Sequence, residues 1–288
     1  MWKMSIYAYG ATFISLGLAT LLYIVYAYGR MRLAGLGVRA FVPAALETRE
    51  EVFQSVGKYA TILSVIGFVF LTMSLIFRGV EAGYGPFSNM YEFSLAYSWG
   101  ILLVYLFLRF RYNAVALGVL AIPITLGLLW YAGTLPSKIQ PLVPALQNNL
   151  LLSVHVAVAM IAYGAATVAF SAAVLYLIQR KDTVKWLPSS AALDDLGYKC
   201  VILGFPMLGL VIILGAVWAD VAWGRYWGWD PKETASLVTW FIYGAYLHAR
   251  AIRGWRGTKS AILLILGFIA VGITYFGNYF LGGLHSYA

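Results

Sequence analysis

A chain of 288 residues in which 62% are apolar and only 11% charged, with a mean hydropathy of +0.80, lies outside the range of soluble globular proteins. Its apolar residues come in runs of about twenty, the length that crosses a ~30 Å hydrocarbon layer, so residues 1–288 are expected to form one membrane domain with no room for a soluble one. The net charge of +9 has its explanation in where the bases fall among the connections, and the single cysteine, Cys200, excludes an internal disulfide and any CxxC redox or zinc site.

The first apolar run covers residues 5–29, with Lys3 ahead of it and Arg30 and Arg32 behind. It is too long for a signal peptide and lacks the small-residue cleavage site, so it is expected to remain as a span. Residues 30–58, with Arg39, Glu47, Arg49, Glu50 and Glu51, read as an amphipathic connection lying along the inner surface as an interfacial helix. A second span is expected at 59–77. The connection 78–91 contains three glycines and Pro86 and is expected to be irregular. A third span at 92–108 is closed by Arg109 and Arg111; a fourth follows at 115–132, and the proline-bearing loop 134–149 leads to a fifth at 151–179. In the polar stretch 180–199, Pro188, Ser189 and Ser190 suit a turn and helix cap ahead of Asp194 and Asp195. Three more spans, at 201–219, 235–251 and 261–281, complete an all-α polytopic bundle of about eight transmembrane helices.

The connections after the first, third, fifth and seventh spans hold 15 of the 20 Lys and Arg residues; the others are Lys3, Arg78, Lys138, Arg225 and Lys232. By the positive-inside rule the basic connections face the cytoplasm, and both termini and the loop between spans six and seven face away from it. Retention of basic loops beside anionic lipid explains the excess charge without nucleic acid.

That extracytoplasmic loop, WADVAWGRYWGWDPKE at 218–233, carries four tryptophans, a tyrosine, three acids and two bases in sixteen residues. One tryptophan at a membrane boundary merely anchors a helix end. Four beside Gly224 and Gly228, which let backbone approach closely, make a platform for a flat, apolar, partly charged ligand. The three histidines narrow the choice. His155 lies at the outer end of the fifth span and His285 just beyond the outer end of the eighth. Each alone reads as an interfacial ring, but two converging on one aromatic loop suit the axial ligation of a haem iron by neutral imidazoles. His248 sits about thirteen residues into the seventh span, roughly 20 Å below the outer surface at about 1.5 Å per residue. An imidazole at that depth marks a functional position, unless the nearby Arg250 draws it to the inner headgroups. As an iron ligand it has no intramembrane mate in this chain, so a partner subunit would have to supply one.

The run 218–250, WADVAWGRYWGWDPKETASLVTWFIYGAYLHAR, resembles the tryptophan-rich WWD motif and following helix of the haem-handling proteins of cytochrome c maturation. It is most similar to the CcsA/ResC type of system II, in which the motif continues as WDPKET and the next span carries a histidine in YLHAR. PFSNMYE at 86–92, His155 at the start of a span and GLHSYA at 283–288 also fall where that family has them. System I relatives share WGxxWxWD but differ in length or in the residues after the motif.

The resemblance implies that Trp223, Trp227, Trp229 and Asp230 cradle haem b at the outer face, that His155 and His285 are its two external axial ligands, and that His248 takes haem on its way out from the cytoplasmic side. It implies a CcsB/ResB-type membrane subunit that supplies the second intramembrane histidine. The pair would act as a cytochrome c synthase, delivering haem across or to the outer face and positioning it for thioether attachment to the CxxCH of apocytochrome c. Thiol-reducing proteins would act indirectly. The membrane would be a bacterial plasma membrane or its thylakoid equivalent. No side chain is expected to catalyse by its own chemistry: the histidines fix the iron, aromatic walls grip the ring, and holding the reactants in register supplies the rate. By charge, Arg225 and Lys232 are candidates for the propionates, and Asp230, just ahead of Pro231, also suits a helix cap. The rival readings are a membrane b-type cytochrome, which needs paired intramembrane histidines, a haem exporter without ligation activity, and a solute transporter, which usually shows repeated halves and buried charge.

Overall fold

The computed structural model describes residues 1–36, 43–142, 146, 149–280 and 282–284, with the side chains of 34–36, 43–49, 149 and 278–279 left out of account. The described residues are all-helical, as expected for apolar segments that must satisfy their backbone polar groups without water. The elements are α1 (Trp2–Leu36), α2 (Pro43–Ala82), α3 (Met90–Tyr112), a 3-10 turn (Val115–Leu117), α4 (Gly118–Gly133), α5 (Asn149–Gln179), α6 (Ser190–Trp223), α7 (Pro231–Arg253) and α8 (Thr258–Phe280). Seven of the eight α-helices are long and apolar enough to cross a membrane, and α7, at 23 residues, has the length but a more amphipathic composition.

Several helices are longer than the apolar runs. Within 30–58, α1 continues to Leu36 and α2 begins at Pro43, and the two are joined by Arg30 Nη1 and Glu50 Oε1 at 2.5 Å. Glu, Gln and Lys are good helix formers and Pro is at home in a first helical turn, so nothing in 43–58 stops the helix. Arg39 and the rest of 37–42 lie outside the described residues. In the same way α6 begins at Ser190, where the Ser189 side chain accepts from Ala192 N at 3.2 Å, the cap expected from the sequence.

α3 and α5 form the buried centre. A Cβ on Gly100 of α3 or Gly164 of α5 would collide with the backbone of the other helix, so the two can touch only because both positions are bare. Around them α5 presents Ala162, Ala165, Ala166, Ala169, Ala172 and Ala173, all buried, which is the small-residue packing of membrane helices. The α1–α2 pair and α4 pack on one side of this centre and α6, α7 and α8 on the other. The beginning of α1 meets the end of α2, where the Met1 amino group lies 3.3 Å from Glu81. The first turns of α3, α5 and α7 and the last turns of α6 and α8 gather at that same end of the bundle.

Candidate functional site

The tryptophan-rich stretch is only partly a loop. No breaker precedes Gly224, which takes φ 71° and donates its N–H to Asp220 O at 2.8 Å, so Trp218 and Trp223 ride on the last turns of α6. The chain restarts abruptly at Asp230. Its side chain accepts from Lys232 N at 3.1 Å, and Glu233 Oε2 reaches back to Asp230 N at 3.1 Å and to Gly228 N at 2.8 Å. With Pro231 next, this is a capping box, and it closes the seven-residue connection 224–230 between the helices. Asp230 is buried at 6% exposure and also accepts the N–H of Leu284 at 2.7 Å through Oδ1. Gly283, at φ 134°, lies so close to this carboxylate and Pro231 that a side chain there would clash. The cap of α7 thus holds the end of α8's extension immediately before His285, which itself lies outside the described residues.

Under the capped turn lies a partly open cleft. Its walls come from α3 (Met90, Phe93), α5 (His155, Tyr163), α6 (Trp218), the connection (Trp227), α7 (Lys232) and α8 (Tyr275). His155 is half-buried and lies nearly parallel to Trp218, with ring centroids 6.4 Å apart and an interplanar angle of 18°. Trp223 packs on Trp218 in a T-shaped contact, with centroids 4.8 Å apart, and so braces this wall without lining the cleft itself. Gly215 makes room for the imidazole: a Cβ there would sit 2.9 Å from His155 Cε1. The indole Nε1 of Trp227 is buried without a hydrogen-bond partner among the described residues, which leaves a donor at the cleft wall. Lys232, ahead of the apolar part of α7, is half-buried with Nζ 5.6 Å from the centroid of Phe93. Burial pushes its pKa down to about 8, and the Asp230 carboxylate works in the opposite direction. One side of the cleft therefore offers an imidazole against flat apolar rings, and its rim offers an ammonium and an indole N–H for an anionic group.

The remaining candidates are distributed differently. Trp229 touches Trp227 edge-on at 5.7 Å but is 69% exposed and stands outside the cleft, on a backbone with φ 55°. Arg225 is exposed and packs on Gly228, where a Cβ would come 2.7 Å from Nε. His248 is exposed far down α7, about 25 Å from Pro231 at ~1.5 Å per residue. Phe93 and Tyr275 were not expected from the sequence as part of the site, and neither left a signal there. Trp218 was, as one of the four rings of the tryptophan-rich stretch, and Gly215, three residues before it, shares its helical face.

The profile of the Cytochrome C assembly protein family matches residues 87–285. The chain is 40% identical over 260 residues to the cytochrome c biogenesis protein CcsA of Guillardia theta, covering 81% of this chain and 85% of that one. It is 36% identical over 278 residues to CcsA of Pyropia yezoensis, covering 80% and 87%, and 37% identical over 267 residues to CcsA of Microcystis aeruginosa, covering 73% and 81%. Among solved structures it is similar to Cytochrome c Heme Lyase CcmF, with a TM-score of 0.58 at 18% identity over 92% of this chain. The chain spans 46% of that protein, and at this identity the likeness bears on the fold alone. With a profile match over most of its length and relatives at this level of identity, the chain belongs to the cytochrome c assembly protein family, as a helical membrane protein of the CcsA type.

Proposed function

We propose that this chain is the haem-handling subunit of a cytochrome c synthase, and that the cleft under the capped tryptophan turn holds haem b while its vinyl groups meet the thiols of an apocytochrome c. The observation that carries the reading is the pairing of His155 with Trp218 and Trp227 in one cleft, with Gly215 left bare beside the imidazole. His155 is one axial ligand. His285 is the other, a role supported by the bond from Leu284 N to Asp230, two residues before the cleft-lining Lys232. Lys232 and the Trp227 Nε1–H are suited to the propionates, and Arg225, turned onto Gly228, is the weaker candidate.

Thioether formation adds a thiol S–H across a vinyl C=C, the carbon taking the proton, with no net oxidation. This chain contributes a rigid frame to that addition: imidazoles fix the centre of the ring, indoles cover its faces, and the rim charge sets its rotation. Such alignment of reactants is a large share of what a site without its own acid or nucleophile can supply. His248, exposed on α7, takes its second imidazole from a CcsB/ResB-type partner, and the cleft faces away from the cytoplasm.

The test is spectroscopic. Haem co-purified with the complex should lose its low-spin bis-imidazole absorption in His155→Gly and in His285→Gly, and regain it with added imidazole. An unchanged spectrum in either variant removes that residue as a ligand.

A further inference from the structure

Arg78 and Glu92 form an ion pair with no exposed surface, and neither residue lines the cleft. Arg78 Nε donates to Glu92 Oε1 at 2.5 Å, Arg78 Nη1 donates to Ser137 O at 2.7 Å, and the guanidinium lies 4.8 Å from the centroid of Tyr91. Glu92 Oε2 accepts from Ser88 N at 2.5 Å and from Ser88 Oγ at 2.8 Å. A buried ion pair adds little stability over apolar side chains of the same volume, because both charges have left water. Stability alone therefore does not account for one here.

What the pair joins is more informative. It ties the end of α2 to the first turn of α3, to the 83–89 turn and to the 134–142 segment, three pieces of backbone around the cleft end of the bundle. The 83–89 turn rests directly on α5: a side chain at Gly85 would collide with Ser153 Oγ, two residues before His155. The first turn of α3, which carries Glu92, also carries Met90 and Phe93 of the cleft wall. The ion pair thus reaches the imidazole through Ser88, the packing of Gly85 on Ser153 and two residues of α5, and it is covalently next to the ring that faces Lys232.

We propose that Arg78 and Glu92 are positioning residues, which fix the 83–89 turn and the start of α3 and through them the angle at which α5 presents His155 to the cleft. The inference rests on His155 being an iron ligand. In the complex with its partner, Glu92→Ala should retain haem but lose most of the low-spin absorption, and added imidazole should restore it. A Gly85→Cys/Ser153→Cys disulfide, whose Cβ positions are 3.2 Å apart, close to the span a disulfide takes, ties the turn to α5 independently of the ion pair. In the Glu92→Ala background this bond should restore the absorption when oxidised and not when reduced. In the haem-free chain the same disulfide should form severalfold more slowly with Glu92→Ala than without it.

A wild-type spectrum in Glu92→Ala that accumulates normally overturns the proposal, as does disulfide formation at an unchanged rate. Should Glu92→Ala fail to accumulate, Arg78→Met/Glu92→Leu removes both charges and leaves none unpaired, and a wild-type spectrum in that variant is equally fatal. If His155→Gly itself leaves the spectrum unchanged, the ligand reading falls, whereas the disulfide rate still reports on the pair.

Discussion

His155 and His248 are each the only histidine on a long helix, and their surroundings differ in every respect. His155 is half-enclosed, faced by Trp218, and lies against a bare patch of α6 at Gly215. His248 is exposed, and it belongs to a stripe of exposed residues on α7, Val238, Phe241, Ala245, His248 and Ile252, spaced by three and four. That spacing is the seam by which one helix packs on another, and an imidazole facing hydrocarbon is costly. The first histidine has walls on several helices of this chain, whereas the second has none among the described residues, and on the function proposed above its counterpart would come from a partner subunit.

The largest expected break in this contrast is Gly215→Leu, which fills the space of the His155 imidazole. It should abolish the low-spin haem signal as fully as His155→Gly, but added imidazole should not restore it, since the space itself is gone; restoration would show that the cleft tolerates the side chain. On the α7 face, Ala245→Trp should reduce recovery of the partner subunit severalfold on co-purification while leaving the haem-free chain's thermal stability nearly unchanged. His248→Ala should lower the amount of haem reaching the cleft without altering the ligation of whatever haem arrives, and normal loading in that variant would count against a route through the membrane.

A smaller effect separates the rim from the walls. Burial holds the Lys232 pKa near about 8, so its ammonium is present below that pH and lost above it. If it holds a propionate, haem retention should weaken as pH rises through about 8, and Lys232→Arg should flatten the dependence because a guanidinium stays charged. Lys232→Met should loosen haem by about tenfold or more at neutral pH, the usual worth of a charge-assisted hydrogen bond. The smallest expected change is in Asp230→Ala, where loss of the α7 cap should cost about 1 kcal/mol in a thermal melt of the haem-free chain. The bond to Leu284 goes with it, so haem ligation should suffer more than the melt suggests.

Seven of the eight helices were legible because apolar runs of this length in lipid have no alternative to helix, and the more amphipathic α7 was legible between two of them. Their ends were not. Residues 43–58 look like a surface segment by charge, yet Glu, Gln and Lys continue a helix as readily as Leu does, and α2 uses them. The capping box at Asp230 could be read from Asp, Pro and Glu alone, since caps depend on local spacing. The division of labour among the tryptophans could not: Trp223, Trp227 and Trp229 share one motif, but one braces, one lines the cleft and one faces outward.

Composition and apolar run length therefore determined the class of protein and the number of helices, because these depend on what a segment of chain does in lipid by itself, and the family was legible from the resemblance of the tryptophan motif. Which rings line the cleft, that Gly215 clears space for His155, and that Arg78 and Glu92 brace its rim depend on helices far apart in the chain coming within contact distance. Only the packing of the bundle decides that, since a side chain's direction is set by the helix phase and by the neighbour it meets.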